Sequence, residues 1–264
     1  MIGTVVENIK LNDKYYYMII NNKDFVENAK VGQFLMVQSK EYDYINDPIL
    51  RRPFGVCDVD YDSGDFSILY MIVGKGTMLL STFKKGSKIE FSSPLGNSFT
   101  IQNEKNVALV GGGIGIAPLY FLAKKLKNNN CKITLYFGGQ SETDIIFLDK
   151  FEKFVDEIVV TTNDGSKGLK GLVTEPFIKN IDYYDYVYSC GPKKMLEAVS
   201  KICINSGKAV EVSLDERMAC GLGACLGCIV YVRDNDGNEI QKRCCVEGPI
   251  FDGSKVIWES VCRG

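Results

Sequence analysis

Up to about residue 100, apolar and polar positions alternate over short runs that are interrupted by turns. Two of these runs, 15–20 and 33–38, are rich in residues that favour strands. Two more, 55–59 and 66–73, flank a glycine-containing turn, which predicts a β-hairpin. Strands this short and this closely spaced predict an antiparallel barrel.

After Asn106 the pattern changes to that of an α/β domain. The run 107–110 is continuously apolar, as expected of a parallel strand that is buried on both faces. A glycine-rich turn follows at once, and residues 117–126 then show helical spacing. Further strands are predicted at 132–137, 158–162 and 186–190. Because these strands alternate with helices, they predict a parallel sheet.

The last part of the chain is rich in cysteine. Runs at 229–232 and 239–243 predict a second hairpin, which is expected to carry Cys244 and Cys245 back toward three earlier cysteines. We therefore predict three parts, namely a β-barrel domain over 1–100, a nucleotide-binding α/β domain over 101–210, and a C-terminal cysteine loop and hairpin over 211–264.

The spacing of the three earlier cysteines indicates iron–sulfur chemistry. Cys220, Cys225 and Cys228 follow the C-x4-C-x2-C pattern of plant-type [2Fe–2S] proteins. The glycines between them allow the loop to wrap around a cluster, because glycine adopts positive φ and lets the backbone approach closely. A structural zinc site is the alternative. Zinc sites usually pair two short cysteine knuckles, however, whereas three of these thiols share one loop.

Composition excludes several classes of function. The 264 residues contain no histidine, which removes a Ser-His-Asp triad, a His-ligated zinc hydrolase, a Rieske cluster and a haem with an axial histidine. The net charge of -2 gives no basic surface for nucleic acid, and no run of 18 apolar residues predicts a membrane span. The first residues alternate like a strand rather than a secretion signal, so we expect a cytoplasmic location.

Two turns of the predicted α/β domain are candidate nucleotide sites. The first joins a strand to a helix, where backbone N–H groups form a pyrophosphate site, and it contains Gly111, Gly112, Gly113 and Gly115. The second follows a strand at the edge where α/β sheets bind ligands, and it contains Cys190, Gly191 and Pro192. Both turns also have a plainer interpretation, since tight turns recruit glycine without binding anything.

Two motifs of the predicted barrel could bind phosphate or flavin. The arginine pair at 51–52 has the fork geometry that suits a phosphate, although a solvated charge pair is the plainer alternative. The run Gly-Lys-Gly-Thr at 74–77 comes at a strand end and could cradle a second pyrophosphate through its backbone N–H groups.

In this order, the motifs resemble the ferredoxin reductase superfamily, in which a flavin-binding barrel precedes a nicotinamide-binding domain. More closely, nearly the whole chain resembles the electron-transfer subunits of class 1B dihydroorotate dehydrogenases. The resemblance is carried by Leu-Arg-Arg-Pro-Phe at 50–54, Gly-Lys-Gly-Thr at 74–77, Pro-Leu-Gly-Asn-Ser-Phe at 94–99, Gly-Gly-Gly-Ile-Gly at 111–115, Ser-Cys-Gly-Pro at 189–192, the cysteine motif at 216–225 and Glu-Gly-Pro-Ile-Phe at 247–251.

The resemblance implies three bound cofactors. It implies NAD(H) at the two turns of the α/β domain and FAD at Arg52, Pro53, Phe54, Gly55, Tyr70, Met71, Ile72, Gly76 and Thr77. It implies a [2Fe–2S] cluster held by Cys220, Cys225, Cys228 and Cys245. Cys245 is preferred to Cys244 because the family's last ligand stands just before an x-x-Gly-Pro-x-Phe run. Gly55 departs from the family, which commonly has serine there.

By the same resemblance, the chain passes electrons between NAD(H), FAD and the cluster and the FMN of a separate dihydroorotate dehydrogenase catalytic subunit, in de novo synthesis of UMP. The expected assembly is a heterotetramer of two catalytic and two electron-transfer subunits. No base for the pyrimidine is expected in this chain. The alternatives are a reductase subunit of the ferredoxin–NADP or oxygenase type with another acceptor, and a non-enzymatic zinc-stabilised binding module.

Overall fold

A computed structural model of the protein describes residues 1–39 and 47–261. Its first part is built of short strands, as predicted, with two short helices between them. The strands are β1 (Ile2–Lys10), β2 (Tyr15–Asn21), β3 (Phe34–Val37), β4 (Arg52–Gly55), β5 (Asp58–Asp60), β6 (Asp65–Met71) and β7 (Lys88–Glu90), and the helices are α1 (Lys23–Asn28) and α2 (Lys75–Leu80).

These strands close into an antiparallel barrel. Five of them form a sheet in the order β5-β6-β2-β1-β7, and β3 pairs with β4. A bridge between Val37 and Phe91 joins β3 to the end of β7. On the other side, the Cys57 N–H donates to Ser67 O at 2.9 Å, which joins the chain after β4 to β6. The predicted hairpin is confirmed, since β5 and β6 pair across a turn in which Gly64 has a φ of +73°. The predicted first strand at 55–59 is divided, however, because Gly55 ends β4 and β5 begins only at Asp58.

The second part is a mostly parallel sheet flanked by helices. Its elements are β8 (Asn106–Gly112), α3 (Ile116–Asn128), β9 (Lys132–Gly139), α4 (Leu148–Phe151), β10 (Glu157–Thr162), β11 (Leu169–Lys170), α5 (Thr174–Lys179), β12 (Tyr186–Cys190), α6 (Lys193–Asn205) and β13 (Ala209–Ser213). The predicted strands at 132–137, 158–162 and 186–190 are therefore confirmed.

The strand order locates the ligand-binding edge of this sheet. The order is β11-β10-β9-β8-β12-β13, with one further strand beyond β13. After β8 the chain adds β9, β10 and β11 on one side of it, and then returns to add β12 and β13 on its other side. In open α/β sheets, ligands bind at such a switch point, outside the carboxyl ends of the strands. The glycine turn after β8 and the Cys-Gly-Pro turn after β12 both lie at this edge.

The cysteine segment is attached to the α/β sheet at both of its ends. It contains β14 (Ile229–Arg233), β15 (Glu239–Arg243), β16 (Ile250–Asp252) and α7 (Trp258–Val261). The predicted hairpin is confirmed, since β14 and β15 pair antiparallel from Ile229–Arg243 to Arg233–Glu239. The predicted boundary between the α/β domain and the cysteine segment, at residues 210 and 211, falls inside β13. β16 pairs antiparallel with β13. The cysteines thus lie in a long excursion between two neighbouring strands of one sheet.

The core has two apolar layers, one on each face of the parallel sheet. Val107 and Leu109 of β8 pack with the barrel and α3, whereas Ala108 and Val110 pack with α5, α6 and the hairpin. Successive side chains of a strand point to opposite faces, so a strand covered on both sides must be continuously apolar. Within the described part of the chain, no helix is long and apolar enough to cross a membrane.

Candidate functional site

Three of the predicted cluster ligands lie on one loop between β13 and β14. The loop turns back on itself through Gly221 and Gly223, whose φ angles are +69° and +78°. Backbone N–H groups point at the sulfurs: Leu222 donates to Cys220 Sγ and Gly227 donates to Cys225 Sγ, each at 3.4 Å. Such hydrogen bonds stabilise an anionic sulfur, which is the form that binds a metal.

The fourth predicted ligand is brought to this loop by the hairpin. The Cys244 N–H donates to Cys228 O at 2.8 Å, and the Cys245 N–H donates to Cys228 Sγ at 3.4 Å. The two neighbouring cysteines lie in the turn after β15 and not on the strand itself. Cys244 Sγ is buried and donates to Leu214 O at 3.2 Å, away from the loop. Both cysteines interact electrostatically with Cys228, and Cys245 in addition hydrogen-bonds with Cys228 through its side chain and interacts with Cys220.

The thiols of this site differ in acidity. Hydrogen bonds from the backbone, first of all from Leu222, lower the pKa of Cys220 to about 6. Burial, followed by the hydrogen bond with Cys228, raises the pKa of Cys245 to about 12. Neighbouring sulfurs cannot all be anionic unless a cation neutralises them, so the donor set fits a metal-containing group. Among the described residues, no three Cys, His, Asp or Glu side chains are gathered closely enough to hold a single metal ion.

The two flavin motifs of the barrel meet in space. The Arg52 guanidinium donates to Leu50 O and lies over Gly76, where an added Cβ would be 2.8 Å from Arg52 Nε. Gly76 leaves room for the guanidinium, which a larger residue at this position would displace. The Thr77 hydroxyl is buried and bonds its own loop, accepting from the Val73 N–H at 2.9 Å and donating to Gly74 O at 3.1 Å. These two hydrogen bonds therefore hold the 73–77 loop in one conformation.

The other barrel residues that were predicted to contact FAD differ in their solvent exposure. Tyr70 is buried, and its hydroxyl donates to Asn8 Oδ1 at 3.0 Å, so it contacts the barrel interior. Met71 and Ile72 are half-buried at the end of β6, as are Pro53, Phe54 and Gly55 along β4. At Gly55, an added Cβ would meet only Pro118, at 3.7 Å, so the serine that the family commonly has would fit.

The two turns of the α/β domain also come together. Cys190 on β12 pairs in register with Gly111 on β8. A Cβ at Gly115 would overlap the backbone of Cys190 and lie 2.6 Å from Gly191 N, and one at Gly112 would lie 2.8 Å from Pro192 Cδ. Glycines are thus required here because the two turns touch, and together they form one backbone-lined surface at the switch point.

A contact between the barrel and the α/β domain was not foreseen from the sequence. The Tyr15 hydroxyl donates to Asp144 Oδ1 at 3.1 Å, and Lys14 Nζ lies 3.4 Å from the same oxygen. Asp144 also accepts from the Gln140 N–H at 3.1 Å, which fixes the loop after β9. No local pattern marks these residues, because Tyr15 reads as an ordinary strand residue and its partner is 129 positions away.

The cysteine loop lies against the flavin motif of the barrel. A cavity of about 580 Å³ is lined by residues 47–53 on the barrel side and by Asp215, Glu216, Arg217 and Met218 on the other. Gly221 rests on β3, since an added Cβ would be 2.6 Å from Met36 Cγ. Lys193 at the start of α6 forms an ion pair with Glu216 at 2.9 Å. Barrel, α/β domain and cysteine loop therefore meet in one region.

Comparison with known proteins agrees with this arrangement. The iron-sulfur cluster binding domain of dihydroorotate dehydrogenase B matches residues 215–257, and an oxidoreductase NAD-binding domain matches residues 109–201. Among solved structures, that of an NADH-dependent reduced ferredoxin-NADP oxidoreductase, studied for flavin-based electron bifurcation, superposes with a TM-score of 0.86. It is 32% identical, and the match covers 98% of this chain and 91% of the other. A ferredoxin reductase of carbazole 1,9a-dioxygenase shares the fold, with a TM-score of 0.65 at 17% identity over 79% of this chain and 66% of the other.

Two curated relatives carry the same name, dihydroorotate dehydrogenase B (NAD(+)), electron transfer subunit. The one from Caldanaerobacter subterraneus subsp. tengcongensis is 41% identical, over 98% of both chains. The one from Desulforamulus reducens is 39% identical, over 92% of this chain and 93% of the relative. Identity of this order over nearly the full length confirms the resemblance inferred from the motifs: the chain belongs to the family of electron transfer subunits of dihydroorotate dehydrogenase B.

Proposed function

We propose that this chain is the electron-transfer subunit of an NAD-dependent dihydroorotate dehydrogenase. It passes electrons between NAD(H), FAD and a [2Fe–2S] cluster and the FMN of a catalytic subunit, in de novo synthesis of UMP. The observation that carries this proposal is the meeting of two of the sites: the segment that leads into the cysteine loop shares a cavity with the flavin motif at Arg52 and Pro53, and the loop packs on Met36 of the same barrel.

Each cofactor has a set of residues that fits it. The backbone of the two touching turns, from Gly111 to Gly115 and from Cys190 to Pro192, would hold the NAD(H) pyrophosphate at the switch point. The surface formed by β4, the end of β6 and the 74–77 loop would hold FAD, with the Arg52 guanidinium available to a phosphate. Cys220, Cys225, Cys228 and Cys245 would hold the cluster.

The chain's own residues bind and position these cofactors. When bound, NAD(H) exchanges a hydride, FAD converts two-electron into one-electron chemistry, and the cluster relays single electrons. The contact of Tyr15 with Asp144 holds the barrel against the loop after β9, and the contact of Gly55 with Pro118 places β4 beside α3. Positioning of this kind keeps the flavin and nicotinamide sites on facing surfaces.

The pyrimidine chemistry is assigned to the partner. The chain has no histidine, and its motifs are accounted for by cofactor binding. We propose a heterotetramer of two catalytic and two electron-transfer subunits. We also place the protein in the cytoplasm, because the nine cysteines within the described residues are free thiols, which favours a reducing compartment.

The experiment that tests this function is coexpression with the FMN-containing catalytic subunit, followed by cofactor analysis. We expect one FAD and one [2Fe–2S] cluster per chain. The isolated chain should reduce artificial dyes with NADH but leave dihydroorotate unoxidised, whereas the complex should couple dihydroorotate oxidation to NAD⁺ reduction. Dihydroorotate oxidation by the chain alone would contradict the assignment. Reduction of ferredoxin without any coupling to dihydroorotate would favour the other acceptor type.

We also expect a preference for NADH over NADPH. Residues 138–144, at the end of β9 and in the loop after it, include no lysine or arginine, and Glu142 in this loop is exposed. The nearby Lys14 is engaged by Asp144. A 2′-phosphate would therefore meet negative charge without a cation to bind it. The value of kcat/KM should be at least about 10-fold higher for NADH, which corresponds to about 1.4 kcal/mol.

The control for nucleotide choice is Glu142→Gln, which removes the exposed charge and leaves Asp144 and its contacts in place. This variant should narrow the ratio of the two kcat/KM values by raising that for NADPH. Comparable values for the two nucleotides in the unaltered protein would refute the expectation.

A further inference from the structure

A salt bridge with fork geometry lies at the base of the cysteine site. Arg243, the last residue of β15, donates to Glu247 from Nη2 at 2.7 Å and from Nε at 3.1 Å. Its backbone N–H donates to the same carboxylate at 2.7 Å. Three donors on one carboxylate hold both side chains in a single conformation, so the turn between them, which contains Cys245, is rigidly defined.

The remaining side of the guanidinium reaches the cysteine loop. Arg243 Nη1 donates to Gly223 O at 3.3 Å, across 20 residues of sequence. Gly223 leaves room for this contact, since an added Cβ would be 3.2 Å from Arg243 Nη1 and 2.6 Å from Val246 Cγ2. Arg243 therefore links the loop that carries three thiols to the turn that carries the fourth.

The turn is itself fixed to the barrel. Asn97, which follows β7, donates from Nδ2 to Glu247 O at 3.0 Å and accepts from the Ile250 N–H at 2.9 Å. One end of the bridge is thus anchored in the body of the protein. The other end is the cysteine loop, on which Leu222, Cys225 and Gly227 are exposed. The exposed loop has little packing of its own, so a contact with an anchored side chain limits its movement.

We propose that Arg243 is a positioning residue for the iron–sulfur cluster, whose guanidinium holds the cysteine loop at Gly223 against the Cys245 turn through its pairing with Glu247. This inference rests on the four-thiol site proposed above. The same contacts hold the permanent positive charge of Arg243 between Gly223 of the cysteine loop and the turn that contains Cys245. A charge so close to the cluster favours its reduced, more negative state.

The test compares Arg243→Gln and Arg243→Lys in the full chain with bound FAD. Transfer of iron to a chelator is followed by bleaching of the cluster's visible absorbance, and the cluster's midpoint potential is measured by titration with a redox dye. We expect iron to be released about 10-fold faster or more from both variants, because neither glutamine nor lysine can bond Glu247 and Gly223 as a fork does. The midpoint potential should fall in Arg243→Gln and remain near that of the unaltered protein in Arg243→Lys.

The matched control is Arg233→Gln, which removes a positive charge at the far end of the same hairpin, where Arg233 bonds Gly237 O. The rate of iron release from this variant should equal that of the unaltered protein, and all variants should retain FAD. The inference would be overturned if iron were released at the same rate from Arg243→Gln and Arg233→Gln. It would also be overturned if Arg243→Lys released iron at the rate of the unaltered protein. If Arg243→Gln fails to fold, the Arg243→Lys result decides. Unaltered protein that binds no iron would instead refute the cluster site itself.

Discussion

Cys245→Ser is expected to abolish the visible absorbance of the [2Fe–2S] cluster, whereas Cys244→Ser should leave it intact. The Cys245 N–H donates to Cys228 Sγ, so Cys245 lies beside the cysteine loop, and its removal is expected to deprive one iron of a thiolate. Cys244 is buried and its thiol donates to Leu214 O, a hydrogen bond that a serine hydroxyl can also make. Iron content and the visible spectrum of the two purified variants provide the measurement.

FAD content is the internal control for this pair. The flavin motif lies on the barrel, so both variants should bind FAD as the unaltered protein does. Loss of the cluster in Cys244→Ser with retention in Cys245→Ser would contradict the ligand assignment. Loss of both cofactors in one variant would indicate unfolding of that variant and would leave the other to decide.

Aspartate at both Leu222 and Leu226 is expected to abolish electron transfer to the catalytic subunit while sparing dye reduction. The side chains of these leucines are 70% and 63% exposed, and exposed Ala224 lies between them. At these exposures the two leucines contribute little to the core of the protein. Exposed apolar residues around a redox site indicate a surface that is covered by a partner.

Leu226 strengthens this interpretation. Its φ is +57°, a conformation that costs free energy for leucine and that aspartate adopts more readily. The substitution should therefore not unfold the loop. Two charges buried at an interface centre, at about 2 kcal/mol each, would weaken association with the catalytic subunit by about 1,000-fold. Binding of the two subunits and NAD-linked dihydroorotate oxidation provide the measurements.

A double variant on the α/β domain provides the matched control for the leucine pair. Ile178 on α5 and Ile204 on α6 are 51% and 48% exposed and lie away from the cysteine loop. Aspartate at both should leave coupling to the catalytic subunit unchanged. Normal coupling in the Leu222 and Leu226 variant would show that the partner docks elsewhere.

The sequence alone determined those features that depend on neighbours along the chain. Alternation up to residue 100 predicted the short barrel strands, and the continuous apolar run at 107–110 predicted a strand that is buried on both faces. The glycine turn and the cysteine spacing likewise predicted two candidate cofactor sites. The FAD residues and the choice of Cys245 came from resemblance to a family, because no local pattern distinguishes Cys245 from its neighbour Cys244.

The tertiary structure decided which distant residues meet. It placed Arg52 over Gly76, brought Gly115 against Cys190, and turned the Tyr70 hydroxyl inward to Asn8. It also made β16 a strand of the α/β sheet and set Arg243 between Glu247 and Gly223. Hydrophobic periodicity reports only which face of an element is buried. The partner of a buried or bridging side chain depends on how separate elements pack against each other. The spacing of residues along the chain does not specify that packing.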